Sequence, residues 1–392
     1  SPRLLLNFSK YQKKISLKCL VGLSVAVLFG ILFFGLWPKG FDFSNDVTWI
    51  KEQPGIRFSG YGIAYTDPIK ELSKEDDSGE NGFSVEIALK SSSYHEDGFN
   101  FILALHNGKD SNQLLVGQWH SSIIVMNGDD YNHRRRTKRI AVKLAEVPPT
   151  TRFVTITTGK DGTSIYLDGQ LNRTKRDLTL KIPENGKSRL LLGNSVYGKH
   201  SWEGDVYGLA FYRYILTDQD VAMHFDNWGK HRNFLFAMKY KPFVLYFFDE
   251  KGGKRAVDHA GEKHDLEIPS RMQILDKNVL SLTWDRLNFD SRFIRDIIMN
   301  LIGFIPLGFF LNATFVKAGG SFERHGVLTT VVFCFTVSLA IEILQAWMPS
   351  RSSDCLDLLL NTLGALLGVM IYRFLLRGWE LGSRGRGSCF RG

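Results

Sequence analysis

The sequence predicts a multi-domain α + β protein: a four-helix transmembrane unit with an extracytoplasmic β-sandwich between spans one and two. Three observations carry that expectation. Apolar residues crowd 17–37 and 297–376, whereas 38–296 is mostly polar and studded with glycine. The mean hydropathy of −0.10 averages these two regimes and so resembles that of a soluble protein. Within the polar segment, short alternating stretches are separated by Asn-Gly and Asp-Gly steps. A chain of 392 residues is long enough for two or three domains. Its 29 Phe and 8 Trp exclude disorder, and the lack of a fixed short repeat excludes a collagen or coiled-coil rod. Cys19, Cys334, Cys355 and Cys389 are too scattered for a disulfide framework or a zinc site.

The first span is Leu17–Trp37, which carries no charge after Lys18. About 20 residues at 1.5 Å each cross a hydrocarbon core of roughly 30 Å. A cleaved signal peptide would have a shorter apolar region and a small-x-small end. This stretch ends Phe-Phe-Gly-Leu-Trp-Pro, so an uncleaved anchor is expected. The chain opens on Ser1 rather than Met, and a few residues are expected upstream. Ile297–Val316 carries no charge, Val327–Met348 carries only Glu342, and Leu358–Leu376 only Arg373. Backbone groups in lipid must be satisfied internally, so all four stretches are read as helices. Arg3, Lys10, Lys13, Lys14 and Lys18 place the N-terminus in the cytoplasm. Residues 38–296 then lie outside, 317–326 inside with Lys317 and Arg324, 349–357 outside, and the tail with Arg377, Arg384, Arg386 and Arg391 inside. The +9 net charge is partly topogenic by this reading, and nucleic-acid binding is not expected.

The divisions that follow are a basic cytoplasmic N-terminus at 1–16, a first helix at 17–37 and the sandwich at 55–228. A connecting β segment at 229–296 is left open as a completion of that sandwich. Three helices at 297–376 and a basic cytoplasmic tail at 377–392 finish the chain. In the sandwich, Phe83–Leu89, Phe99–His106, Gln113–Gln118, Ser122–Met126, Phe153–Thr158 and Ser164–Leu167 read as strands. Asn-Gly or Asp-Gly at 81–82, 107–108, 127–128, 161–162, 168–169 and 185–186 supply the positive φ that hairpin turns need. Phe243–Asp249 reads as a further strand, with a partner sought near Ile56–Tyr65. Trp119, Tyr131 and Trp202 are candidates for stacking on a sugar, and equally for core or rim positions. The run His133–Arg139 reads as a solvated loop, or as a contact for anionic lipid or polymer.

The polar residues of the later helices fall on single faces. Asp296, Asn300 and Gly303 are spaced i, i+4, i+7, as are Ser338, Glu342 and Gln345. After Pro349 come Arg351, Asp354, Asp357, Asn361, Gly364 and Gly368, read from Asp354 onward as one helical stripe. The Gly364-x-x-x-Gly368 pair lets another helix approach closely. With the topology above, Asn300, Glu342, Gln345 and Asn361 fall within roughly 10 Å of the outer surface. The candidate ligand-binding residues are therefore Asn300, Glu342, Gln345, Arg351, Asp354, Asp357 and Asn361, forming an outward-facing polar pocket. Glu342 needs a partner, since a charge at the bilayer centre costs at least about 2.5–3.5 kcal/mol, and Arg351 and Gln345 are the expected ones. A structural latch between helices is the competing reading.

Two resemblances enter here. FVTITTGKDGTSIYLDGQL (153–171), LLLGNSVYGKHSWEGDVYGLAFYRYILTDQDVAMHF (190–225) and 245–269 resemble laminin-G-like, concanavalin-A-like jelly rolls. Such domains often bind glycans or calcium, but no carboxylate cluster here has calcium-site spacing. Asp168-Gly169 is its best landmark, read as a hairpin turn rather than a ligand. Asn300–Leu311, Glu342-x-x-Gln345, Arg351-x-x-Asp354-x-x-Asp357 and Asn361–Gly368 resemble the VanZ-like family in order and spacing. That resemblance implies a cell-envelope role, a link to the glycopeptide teicoplanin, and a four-helix unit whose remaining helix is the first span. The inserted β domain departs from the family's simple pattern.

Two functional classes stand side by side. The first is a non-catalytic envelope protein in the cytoplasmic membrane. Its sandwich binds a glycan or wall component, and its pocket binds an amphipathic or lipid-linked ligand, with Arg351 meeting a phosphate or carboxylate. No cofactor or metal is expected in that case. The second is a membrane enzyme acting on a polyprenyl-linked substrate. Glu342 would then be acid or base, with Asp354 and Asp357 holding Mg²⁺. No glycine-rich phosphate loop, HExxH or GxSxG is present, which favours binding. Ca²⁺ remains an option for the sandwich, and the oligomeric state is undetermined.

Overall fold

A computed structural model gives the architecture. It describes residues 15–37, 44–69, 82–93, 98–144, 149–183, 188–261, 263–276, 279–280, 291–348, 351 and 353–387. The basic N-terminal residues 1–14, the steps at 81 and 185–186, Pro349 and Cys389 lie outside the described residues. The chain divides into two compact units, one of 1–40 with 277–392 and one of 41–276.

The second unit is a sandwich of two antiparallel sheets. The first contains β1 (Val47–Trp49), β2 (Ile56–Phe58), β4 (Phe83–Ser91), β9 (Arg152–Gly159), β10 (Gly162–Leu167), β11 (Gln170–Lys175), β13 (Gly204–Tyr212) and β14 (Val244–Tyr246). Its order is β1-β2-β13-β4-β9-β10-β11. Strands β2 and β14 share one edge of β13, taking its first and second halves. The other sheet contains β3 (Ala64–Thr66), β5 (Asn100–His106), β6 (Leu114–Trp119), β7 (Ser122–Asn127), β8 (Arg139–Lys143), β12 (Arg189–Leu192), β15 (Arg255–Ala256) and β16 (Leu266–Glu267), in the order β15-β16-β3-β12-β5-β6-β7-β8. The segment after 229 does join the sandwich, through β14 on one sheet and β15–β16 on the other.

Alternation explains the core. Val85, Ile87, Leu89, Val154, Ile156 and Ile165 of the first sheet meet Leu103, Leu105, Val116, Ile123, Val125 and Leu192 of the second. Burying each such side chain contributes about 1.5–3 kcal/mol before chain entropy is set against it. The back face of the first sheet is covered as well. There α1 (Leu17–Leu36) belongs to the other unit, and the covering layer comes from α2 (Asp218–His224), a π-turn at Phe225–Lys230 and α3 (Phe234–Lys239). Thr217 and Asp220 start α2 with a reciprocal capping box. Trp228, Val221 and Leu216 pack on Phe153, Tyr212 and Ala210. At the β10–β11 hairpin, Asp168 (φ 52°) and Gly169 (φ 78°) take the left-handed conformation that a two-residue turn requires. The Asp168 carboxylate accepts from the Phe153 N–H at 2.9 Å and pairs with Arg152 at 2.5 Å, so the turn reading holds.

The other unit comprises α1, α4 (Ser291–Ala318), α5 (Ser321–Gln345) and α6 (Cys355–Gly387). Four of its stretches are long and apolar enough to cross a membrane: Leu17–Leu36, Phe293–Ala318, Glu323–Gln345 and Cys355–Arg377. Phe29, Phe34, Met299, Leu328 and Phe374 are exposed on its outside, as a lipid-facing surface demands. The packing of α4 against α6 is set by glycine. A Cβ added at Gly364, Gly368 or Gly308 would come within 2.1 Å of the carbonyl oxygen of Leu301, Ile305 or Ala365 respectively. The expected approach at Gly364 and Gly368 is therefore present, and Gly308 completes it from the facing helix. The Ser24 and Thr314 hydroxyls link α1 to α4 at 3.3 Å, so the first span packs as the fourth helix of this unit.

Candidate functional site

The helical polar residues gather at one end of the bundle, where α1 and α5 finish and α4 and α6 begin. Asn300 of α4 donates to Asp357 Oδ1 of α6 at 2.6 Å. Asn361 of α6 donates to the Ser338 hydroxyl of α5 at 2.9 Å. Glu342 is 2% exposed, and its Oε2 accepts from the backbone N–H of Asp354 at 2.9 Å. Gln345 donates to the carbonyl of Gly35 at 2.7 Å, capping the end of α1. The Arg351 guanidinium makes longer contacts to two α1 carbonyls, Phe34 at 3.3 Å and Trp37 at 3.4 Å. All seven candidate residues thus meet at this end.

Two expectations are corrected. Glu342 is not paired with Arg351 or Gln345; both of those side chains are turned to the carbonyls that α1 leaves unsatisfied. A backbone donor takes their place at Glu342. Asp354 also does not continue a helical stripe. It precedes the first residue of α6, and its Oδ1 accepts from the Leu356 N–H at 2.9 Å, as an N-cap does. The sequence pattern alone did not show Ser353, whose hydroxyl accepts from the Leu280 N–H at 3.0 Å. Nor did it show that Cys355 donates to the Leu280 carbonyl at 3.2 Å.

The sandwich candidates separate. Trp202 is 1% exposed, and its indole N–H donates to Gln118 at 2.7 Å, so it is core and cannot stack on a sugar. Tyr131 is half-buried against Phe99, Phe101 and His200, and accepts from Gln113 at 2.7 Å. Burial pushes its hydroxyl far above the usual tyrosine range. Trp119 is the one of the three that is exposed, at 37%.

Two further clusters went unread in the sequence. Glu86, in β4, is fully buried under the α2–α3 layer. Its Oε2 accepts from Tyr212 at 3.0 Å and Trp228 at 3.1 Å and lies 2.9 Å from His224 Nδ1, while Thr155 donates to Oε1 at 3.3 Å. Four side chains converge on this one carboxylate, which marks a structural network, although the buried Nε2 of His224 has no hydrogen-bond partner among the described residues. Asp249, Glu250 and His259 bring one ligand atom each within 4.8 Å of one another. Asp249 also sits 3.6 Å from His259 Nε2, and the group is partly solvent-exposed, as a surface ion pair would be.

Comparison with known proteins agrees with these two halves. Residues 232–377 match the VanZ/LLP1 family model, and residues 67–222 match the concanavalin A-like lectin/glucanases superfamily model. The first match begins within the sandwich unit and runs to the end of the last span. Protein VanZ of Enterococcus faecium is 35% identical over 78 residues, which is 20% of this chain and 44% of that relative. The chain thus spans under half the length of the curated relative it matches. Among solved structures, the receptor binding domain of botulinum neurotoxin C/D mosaic serotype shares 16% identity and a TM-score of 0.37, over 48% of this chain and 45% of that one. The binding domain of botulinum neurotoxin DC in complex with rat synaptotagmin II gives 15% and 0.36, over 47% and 45%. The chain is a membrane protein with a VanZ-like region at its C-terminus and a laminin-G-type, concanavalin A-like domain in its middle.

Proposed function

We propose that the polar end of the bundle binds an amphipathic or lipid-linked ligand at the outer side of the cytoplasmic membrane, with both chain termini cytoplasmic. The sandwich, on the extracytoplasmic side, engages a glycan or wall component, and the protein alters susceptibility to glycopeptides. The observation that supports the binding site is the buried Glu342 carboxylate. An amide-hydroxyl pair such as Asn361–Ser338 suffices to latch helices together. A carboxylate 2% exposed at a span's end is a cost that a latch does not require. Arg351, half-buried and holding its two carbonyls at long distance, supplies the cation for a phosphate or carboxylate headgroup.

The enzyme reading is the weaker of the two. Asp354 is engaged by the Leu356 N–H and Asp357 by Asn300, so both acids carry helix-end duties that metal binding would compete with.

The test is a pair of substitutions, Glu342→Gln and Arg351→Ala, in the full chain. Each is expected to remove a glycopeptide phenotype while membrane abundance stays at the wild-type level. A matching fall in abundance would instead assign these residues to a latch. Mass spectrometry of co-purified lipids should show a species lost in Arg351→Ala. Turnover of lipid-linked precursors dependent on Mg²⁺ would establish the enzyme reading.

A further inference from the structure

The fold brings together two basic segments that are far apart in sequence. Strand β8 is the last strand of one sheet and β11 the last of the other. Arg173 donates to the carbonyl of Ala141 at 3.0 Å, and Lys175 donates to that of Arg139 at 3.2 Å. The run 129–143 therefore lies alongside 170–177. Together they hold nine basic residues against three acidic ones, a surplus of six in a chain whose net charge is +9.

Edge strands commonly carry charge to prevent unwanted pairing, and here that duty has identifiable owners. Arg173 and Lys175 satisfy the open carbonyls of β8. Asp129 is paired with Arg135 at 2.5 Å, and Asp177 with Lys138 at 3.2 Å. Asp130 is buried, its oxygens accepting from the Arg135 and Thr137 N–H groups at 3.2 and 2.9 Å, and so it shapes the loop. Arg134, Arg136, Lys143 and Arg176 are exposed and take no part in any of this. Arg134 and Arg136 stand on the loop that leads into β8, Lys143 is the last residue of β8, and Arg176 follows the end of β11, so these cations are spread along the paired edge.

We infer that the β8–β11 edge is a binding track for a linear polyanion carrying phosphate groups at regular intervals. Cations spread from the loop before β8 to the far end of that strand suit a chain with repeating charge, where each site adds a released counterion. The inference rests on the reading above only in placing the sandwich in the envelope, and it names the partner class for that domain.

The test uses the full chain in a neutral detergent with long-chain inorganic polyphosphate as the probe. Binding is expected to weaken with salt, with a slope of log K against log salt of roughly −3 from about four contacts. The quadruple change Arg134→Ser, Arg136→Ser, Lys143→Ser and Arg176→Ser should reduce affinity at least about tenfold and flatten the slope. Should that variant fold poorly, the loop pair Arg134→Ser with Arg136→Ser is expected to halve the slope. Arg→Lys at the same positions should retain it, since the interaction is with charge. Equal competition by orthophosphate at matched phosphate concentration would overturn the inference in favour of a single anion site. So would unchanged binding in the variants, or binding to anionic vesicles without binding to polyphosphate. None of these outcomes bears on Glu342 or Arg351, so the helical site is tested separately.

Discussion

The sandwich and the bundle each bury a carboxylate, and the surroundings differ. Glu86 sits mid-strand among Thr155, Tyr212, His224 and Trp228, all side-chain partners drawn from elements distant in sequence. Glu342 takes a backbone N–H from a residue twelve positions on. The neighbouring cores differ in the same sense. In the sandwich, large apolar side chains fill the space between two sheets, driven by leaving water. In the bundle, lipid tails are as apolar as leucine, so that drive is missing between helices. Close backbone approach at Gly308, Gly364 and Gly368 and hydrogen bonds at the helix ends take its place. The same chain therefore solves burial once with volume and once with its absence.

That contrast can be broken first at Glu86. Glu86→Ala strips the partners from Tyr212, Trp228 and His224 at once and is expected to cost about 3–5 kcal/mol, read as a loss of sandwich stability in denaturant titrations of the full chain. Unchanged stability would mean that the network is not the keystone of the back layer. In the bundle the largest effect is expected at Gly368→Val, where backbone rather than a side chain stands in the way. A cost of roughly 1–3 kcal/mol or more should appear as a lower detergent-solubilised melting temperature, with the sandwich unaffected. Gln345→Ala removes one cap from α1 and should cost about 0.6–1.7 kcal/mol, seen as freer exchange of the α1 end with no change in the α4–α6 contacts. The smallest effect belongs to Gly303→Ala. Among the described residues nothing lies within 4 Å of a Cβ added there, and a neutral or slightly stabilised bundle is expected, by up to about 1 kcal/mol.

Acid offers a finer probe of the sandwich. Burial alone would raise the Asp130 carboxyl, but the N–H groups of Thr137 and Arg135 outweigh it and hold it below the usual carboxylate range. A lowered folded value stabilises the loop above the unfolded pKa of about 3.9 and is lost as pH falls through the folded value below it. Amide exchange across the 130–137 loop, read by hydrogen–deuterium mass spectrometry and corrected for the intrinsic pH dependence of exchange, should thus stay slow from neutral pH down to about 4, with opening only in stronger acid. An Asp130→Asn chain should show the open loop already at neutral pH.

Much of this was legible locally. Strand β10 and its turn followed from alternation and Asp168-Gly169, and the close helix contact followed from Gly364 and Gly368. What stayed hidden depended on partners remote in sequence or on backbone groups. Glu86 occupies a position that a two-layer sandwich would give to solvent, and only the α2–α3 layer, some 130 residues later, reverses that. Trp202 could be read equally as a sugar-stacking or a core residue, because the partner that fixes it in the core, Gln118, lies 84 residues away. The pairing of Glu342 was misread because a stripe of side chains says nothing about the Asp354 amide. The two-residue strands β15 and β16 carry too short a pattern to be seen at all.

The insertion of the sandwich between α1 and α4 has a kinetic consequence. About 240 residues separate the end of α1 from the start of its partners' segment. At roughly 5–20 residues per second, synthesis leaves α1 solitary in the bilayer for about 12–50 s. Through that interval its Ser24 hydroxyl and final carbonyls have no Thr314, Gln345 or Arg351 to meet. The first helix must therefore be apolar enough to persist as an orphan, which explains why it is the least polar of the four.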